Sequence, residues 1–171
     1  MKRNHLYVIY GLVLSCLILT SYSMLNRPKI AYVDLNILYN EFTMQKEMNS
    51  KIKNIKSIRQ HILDSLKYNL EFKAKGLEGN KSKNNMDEFD RMRQDYYVKT
   101  KQFDEDNGAL AQQYYQQILT QMNQYVQDYG KTYHYSIILG AKGDGGLMYS
   151  QESYNITDKV KVYINSRYSG K

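Results

Sequence analysis

The chain has 171 residues, one domain's worth, with 24 Lys+Arg against 17 Asp+Glu, one Pro, one Cys, no Trp and 18 Tyr. One cysteine excludes a disulfide framework and any cysteine-based zinc site, and one proline disfavours a loop-rich all-β fold. A mean hydropathy of -0.66, with much of the apolar content carried by Tyr, excludes a large buried core and points to an elongated, mostly helical protein.

Lys2 and Arg3 precede an uncharged, mainly apolar run from Leu6 to Leu25, so residues 1–25 read as a signal peptide or N-terminal membrane anchor. Three fates fit: an uncleaved inner-membrane anchor, a signal peptide cut after Ser23, or lipidation at Cys16 within the partial lipobox Val13-Leu14-Ser15-Cys16. Each sends the remainder out of the cytoplasm and brings residues 6–25 into contact with a membrane.

After Pro28, Lys29-Ile-Ala-Tyr-Val-Asp34 reads as a strand whose terminal Asp caps a following helix. From Leu35 to Leu77 the apolar positions Met44, Met48, Ile52, Ile55, Ile58, Ile62, Leu66 and Leu70 recur every three or four residues, which predicts one continuous long helix. Turn residues crowd Gly76 to Asn85. A second stripe, Met86, Phe89, Met92, Tyr96, Phe103, Leu110, Tyr114, Ile118, Met122, Tyr125 and Tyr129, predicts the returning helix of an antiparallel hairpin. Beyond it, Tyr133–Leu139 reads as a strand, Gly140–Gly146 as a turn and Leu147–Tyr149 as a second strand, so that with β-type residues near 30 a three-stranded sheet is expected. Asn155-Ile-Thr-Asp158 opens a short last helix with a Thr or Asp cap.

The hairpin is electrically asymmetric. Between Gln45 and Asn85 there are ten Lys/Arg and four Asp/Glu, whereas from Met86 to Gly130 there are four and eight. Two readings stand: the opposite charges pair the arms, or Lys51, Lys53, Lys56, Arg59, Lys67 and Lys73 face outward as a cationic binding surface.

No motif carries catalysis, so the chain reads as a non-enzyme without a cofactor or metal. Gly140–Gly146 lacks the Gly-Lys-Ser/Thr of a phosphate loop, and His5, His61 and His134 are too dispersed for ligand spacing. Asp104-Glu105-Asp106 points in different directions along a helix and reads as a solvated face. Nucleic acid is not an expected partner, because the acidic arm offsets the basic one.

The basic apolar leader, the strand Lys29–Asp34 followed by Leu35, Leu38 and Phe42, the charged hairpin, Gly140–Tyr149 and Ile156-Thr-Asp-Lys-Val160 together resemble the Skp/OmpH family of periplasmic outer-membrane-protein chaperones. The resemblance covers residues 29–168 and implies an α+β, mostly helical fold: a coiled-coil arm, 43–130, on a small β-sheet trimerisation body, 29–42 and 131–168. It further implies a homotrimer joined near Ile30, Tyr32, Ile137, Ile138 and Leu147, and an ATP-independent holdase for unfolded outer-membrane β-barrel proteins in the periplasm. An exported, membrane-anchored coiled-coil scaffold for one specific partner is the alternative.

Overall fold

The computed structural model describes residues 12–20, 27–79 and 82–170. Residues 12–20 form helix α1; the remainder of the N-terminal segment, and with it most of the leader reading, lies outside the described residues. Among the described residues no helix is long and apolar enough to cross a membrane.

Strand β1, Ile30–Asp34, alternates as a half-buried strand should: Ala31 and Val33 enter the core, Ile30 and Tyr32 face away. Asp34 ends it as expected, its carboxylate accepting from the N–H groups of Asn36 at 2.8 Å and Ile37 at 3.0 Å to cap helix α2, Leu35–Glu41. The sheet itself departs from expectation. Among the described residues it has two strands, and β2, Ile137–Ala141, runs parallel to β1 in the register Ile30↔Ile137 through Asp34↔Ala141. The helical hairpin is therefore the long crossover that a parallel pair requires. β2 also begins four residues late, because the preceding helix runs on to Thr132 and only His134, at φ 57, turns the chain back beside Lys29.

Leu147–Tyr149 forms no strand. Gly143 at φ 77 and Gly145 at φ 94 carry the backbone away from the sheet, leaving Met148 88% and Tyr149 81% exposed. The other edge of β1 is taken instead by Asn155 and Ile156, whose N–H donates to the Tyr32 carbonyl at 3.0 Å. Helix α5, Thr157–Tyr168, then starts without the expected side-chain cap, since its N-cap position is Ile156. Thr157 is used elsewhere: buried, it accepts from the Asp34 N–H at 2.9 Å and ties α5 to the end of β1.

The single helix expected from Leu35 to Leu77 is two. After α2 the chain extends at Phe42, φ -74 and ψ 124, before α3 runs from Thr43 to Gly79. No Gly or Pro marks this break; tertiary packing makes it. The Phe42 ring is fully buried, edge-on to Tyr125 and Tyr168 at centroid distances of 6.2 and 5.6 Å. Asn165 satisfies the interrupted backbone, accepting from Thr43 N–H at 2.7 Å and Thr43 Oγ1 at 2.8 Å and donating to the Glu41 carbonyl at 3.0 Å. Asn165→Ala is expected to lower stability by about 2–3 kcal/mol, because it strands a partly buried donor and an acceptor together. Asn165→Asp, which keeps the acceptor and loses the donor, should fall between, and urea unfolding of the three chains checks the order.

Helix α3 continues four residues into the expected turn, and Ser82 accepts from the Asn85 N–H at 3.4 Å to start α4, Lys83–Thr132. The body core draws Ala31 and Val33 from β1, Leu38 and Phe42 from the α2 region, Ile118, Met122 and Tyr129 from the last turns of α4, and Ile156, Val160 and Ile164 from α5. Met44 and Met48 of α3 and Leu119, Tyr125 and Val126 of α4 pack against it, and beyond them the two helices stand clear as an arm.

Candidate functional site

Two helices bury only a narrow seam between them, and that seam decides which side chains remain free. Along the middle of α3 the half-buried positions are Ile52, Ile55, Arg59, Leu63, Leu66 and Leu70, spaced three or four apart. Leu63 thus occupies the place that the expected stripe assigned to Ile62, and Ile58 and Ile62 are left exposed, Ile58 by 53%. On α4 the seam takes in the polar residues Asn85, Thr100 and Asn107 beside the aromatic and aliphatic ones. Off the seam, Phe72 is 73% and Tyr97 66% exposed, and Tyr68, Met86 and Val98 are exposed too. Of these, only Met86 belongs to the stripes read from the sequence, and the structure leaves it exposed rather than in the seam. A strict heptad reading, in place of any step of three or four, would have separated them from the seam.

The six candidate cations divide. Arg59 belongs to the seam: Nη1 donates to Asn107 Oδ1, Nη2 lies 3.6 Å from Asp106 Oδ2, and the guanidinium sits 5.4 Å from the Phe103 ring centroid. Lys73 also crosses the hairpin, to Glu88. For these two the pairing reading holds, and a polar clasp between arms fixes their register. Lys67 makes only an exposed i,i+4 pair with Glu71, at 4.0 Å. Lys51, Lys53 and Lys56 are exposed and form no ion pair among the described residues. Asp106 of the acidic run is the partner of Arg59 rather than a purely solvated residue.

At the body, Ile30 and Ile137 sit side by side in the parallel register on the sheet face turned away from the core, next to Tyr32 and Leu139. Ile138 points the other way and packs on the core, where its Cδ1 would lie 3.4 Å from a Cβ placed on Gly130. Leu147 is half-buried in the loop. Gly140 leaves room for Leu35, whose Cδ1 would stand 2.6 Å from any Cβ there. Burial raises the hydroxyl pKa values of Tyr39 and Tyr129, and the Glu47 carboxylate that accepts from Tyr168 at 2.6 Å pushes the Tyr168 hydroxyl up to about 12.

The fold is a long antiparallel arm rooted in a small α+β body, with an exposed sheet face at one end and exposed apolar and cationic side chains along the arm. The family described as outer membrane protein (OmpH-like) matches residues 29–164, and the chain belongs to that family. It is also similar to a crystal structure described as a "putative outer membrane chaperone (OmpH-like)" from Caulobacter crescentus CB15, with a TM-score of 0.61, 16% identity, and coverage of 82% of this chain and 86% of that one. At that identity the likeness shows a shared fold. A comparison with curated proteins finds no match.

Proposed function

We propose that the chain is an ATP-independent holdase that binds unfolded outer-membrane β-barrel proteins in the periplasm, as a homotrimer whose arms surround the client. Family membership supports a chaperone role, and the observation that carries the reading is the arm itself. Ile58, Ile62, Phe72, Tyr97 and Val98 leave large apolar side chains in water on stretches of α3 and α4 that take no part in the body core. Burying one such side chain against a client gains about 1.5–3 kcal/mol, so several weak, interchangeable contacts suffice to hold an unfolded chain. Such holding needs surface and not chemistry, which suits a protein without an assigned catalytic residue. Export through residues 1–25, as signal peptide or retained anchor, would put this surface where such clients pass.

The test is suppression of aggregation of several different unfolded β-barrel proteins by the purified chain. Protection of all of them supports the holdase; tight binding to one folded protein, with no protection, supports the scaffold. The cations contribute attraction and reach. Changing Lys51, Lys53, Lys56 and Lys67 together to Gln is expected to weaken client binding by about tenfold at low salt and to flatten its salt dependence, since screening acts over about 8 Å at physiological ionic strength. Arg59→Gln and Lys73→Gln, which break contacts across the hairpin, should instead lower the thermal midpoint and leave the salt dependence of binding unchanged.

A further inference from the structure

The C-terminal end of α4, the end farthest from the hairpin loop, carries a tyrosine cluster that the arm does not use. Ring centroids of Tyr129 and Tyr133 lie 4.4 Å apart, those of Tyr129 and Tyr163 5.2 Å, and those of Tyr129 and Tyr135 5.9 Å. Lys29 joins them, with Nζ 3.9 Å over the Tyr135 ring and donating to the Tyr133 carbonyl at 3.1 Å. Tyr129 is buried, but Tyr133 is exposed, and a hollow between α4 and α5 lined by Tyr133, Tyr163, Val162 and Lys159 opens outward. Val162 is 67% exposed at its rim, an apolar side chain that the body leaves in water.

The same end is cationic. Arg27, Lys29, Lys131 and Lys159 are all exposed, and none forms an ion pair among the described residues. Of the acidic side chains beside them, Asp158 is offset by Lys161 at 2.7 Å, while Asp128 accepts from the uncharged Gln124 at 3.2 Å, which leaves four cations against one unpaired carboxylate. Position completes the pattern. Lys29 follows Leu25, the last residue of the apolar run, by four residues, so even a fully extended link is only about 14 Å long.

We infer that this end of the body rests on the anionic phospholipid headgroups of the membrane that residues 6–25 enter, which rests on the reading of those residues as a retained anchor. Tyrosine, an apolar ring with a polar tip, suits the boundary between acyl chains and water, and Val162 would leave water there. Arg27, Lys131 and Lys159 face the negative lipid surface, each such cation changing local partition by about fivefold. The arm, at the other end of α4, then projects away from the membrane into the compartment where clients pass.

Because the chain has no Trp, a single introduced one reports its own depth. Full-length chains carrying Leu14→Trp, Tyr133→Trp, Val162→Trp or Phe72→Trp are reconstituted into phosphatidylglycerol–phosphatidylethanolamine vesicles. Lipids labelled with a quencher near the headgroup supply the readout. Tyr133→Trp and Val162→Trp are expected to lose about half their emission and Phe72→Trp, out on the arm, almost none, as interfacial and projecting positions require. In phosphatidylcholine vesicles, or with Arg27, Lys131 and Lys159 all changed to Gln, the quenching at positions 133 and 162 should drop sharply. If Leu14→Trp is quenched by lipids labelled deep in the acyl chain while Tyr133→Trp and Val162→Trp are not quenched, the anchor stands and the docked body is wrong. Quenching of Phe72→Trp equal to that of Tyr133→Trp, meaning an arm lying flat, also overturns it. Failure of Leu14→Trp to be quenched overturns the anchor and the docking together.

Discussion

Ile137→Asp is expected to convert the assembled protein into monomers that keep their helical circular dichroism, with the mass read by light scattering. Ile137 is 48% exposed within one chain, on the sheet face that carries Ile30, Tyr32 and Leu139, and the outer edge of β2 has no partner strand among the described residues. Two five-residue strands with one apolar face in water are too small to be stable as an open sheet, so neighbours on that face and edge are the physical reason to expect a trimer. An exposed Asp costs the single chain little. Buried at an interface without a partner, each carboxylate costs several kcal/mol, and a three-fold assembly would bury three. Ile138→Asp does not test the same idea, because Ile138 packs on the core of its own chain and the substitution would unfold the body. An Ile137→Asp chain that remains trimeric places the contact elsewhere and removes Ile30, Tyr32 and Ile137 from the interface.

What could be read from the sequence was local. β1, the Asp34 cap and two long helices with a turn between them follow from period, cap chemistry and turn residues within a few positions of one another, and the structure has each of these, though not every position of the two stripes. The break at Phe42 could not be read in that way, since its causes, Asn165, Tyr125 and Tyr168, lie more than eighty residues away. The parallel pairing of β2 follows from a tertiary competition too. Asn155 and Ile156 claim one edge of β1, and the continuation of α4 to Thr132 moves the strand four residues along. Within the arm the limit was resolution of the pattern: Ile62 and Leu63 are adjacent apolar residues, and only the helix phase set by Arg59 and Leu66 places Leu63 in the seam. The same limit hid the division among the cations, because spacing alone does not separate Arg59, which reaches Asp106 and Asn107, from Lys56, which faces water.

Removing the arm is expected to abolish client protection while leaving the body assembled. The junction must respect the core. Joining Ser50 directly to Tyr125 would delete Ile118 and Met122, both buried in the body, whereas rejoining at Tyr114 keeps them and the Tyr39–Tyr115 ring pair. The contacts of Arg59 with Asp106, of Lys73 with Glu88, and of Met44 beside Gln117 and Gln121 place Ser50 across from the turn of α4 that ends at Tyr114 and Tyr115. Helix axes about 8–10 Å apart are spanned there by a short Gly-Ser linker. Ile58, Ile62, Phe72, Tyr97 and Val98 all disappear with the deleted segment, as do Lys51, Lys53, Lys56 and Lys67. Losing even three partial apolar contacts of about 1 kcal/mol each lowers affinity more than a hundredfold, so a client that was kept soluble should aggregate. The Ile137→Asp chain tests the complementary half: it keeps the arm and loses its neighbours, so a holdase that works by enclosure fails in both chains. Protection that survives in the armless chain assigns client binding to the body and refutes the arm; protection that survives only in the monomeric chain means that one arm suffices and enclosure is unnecessary.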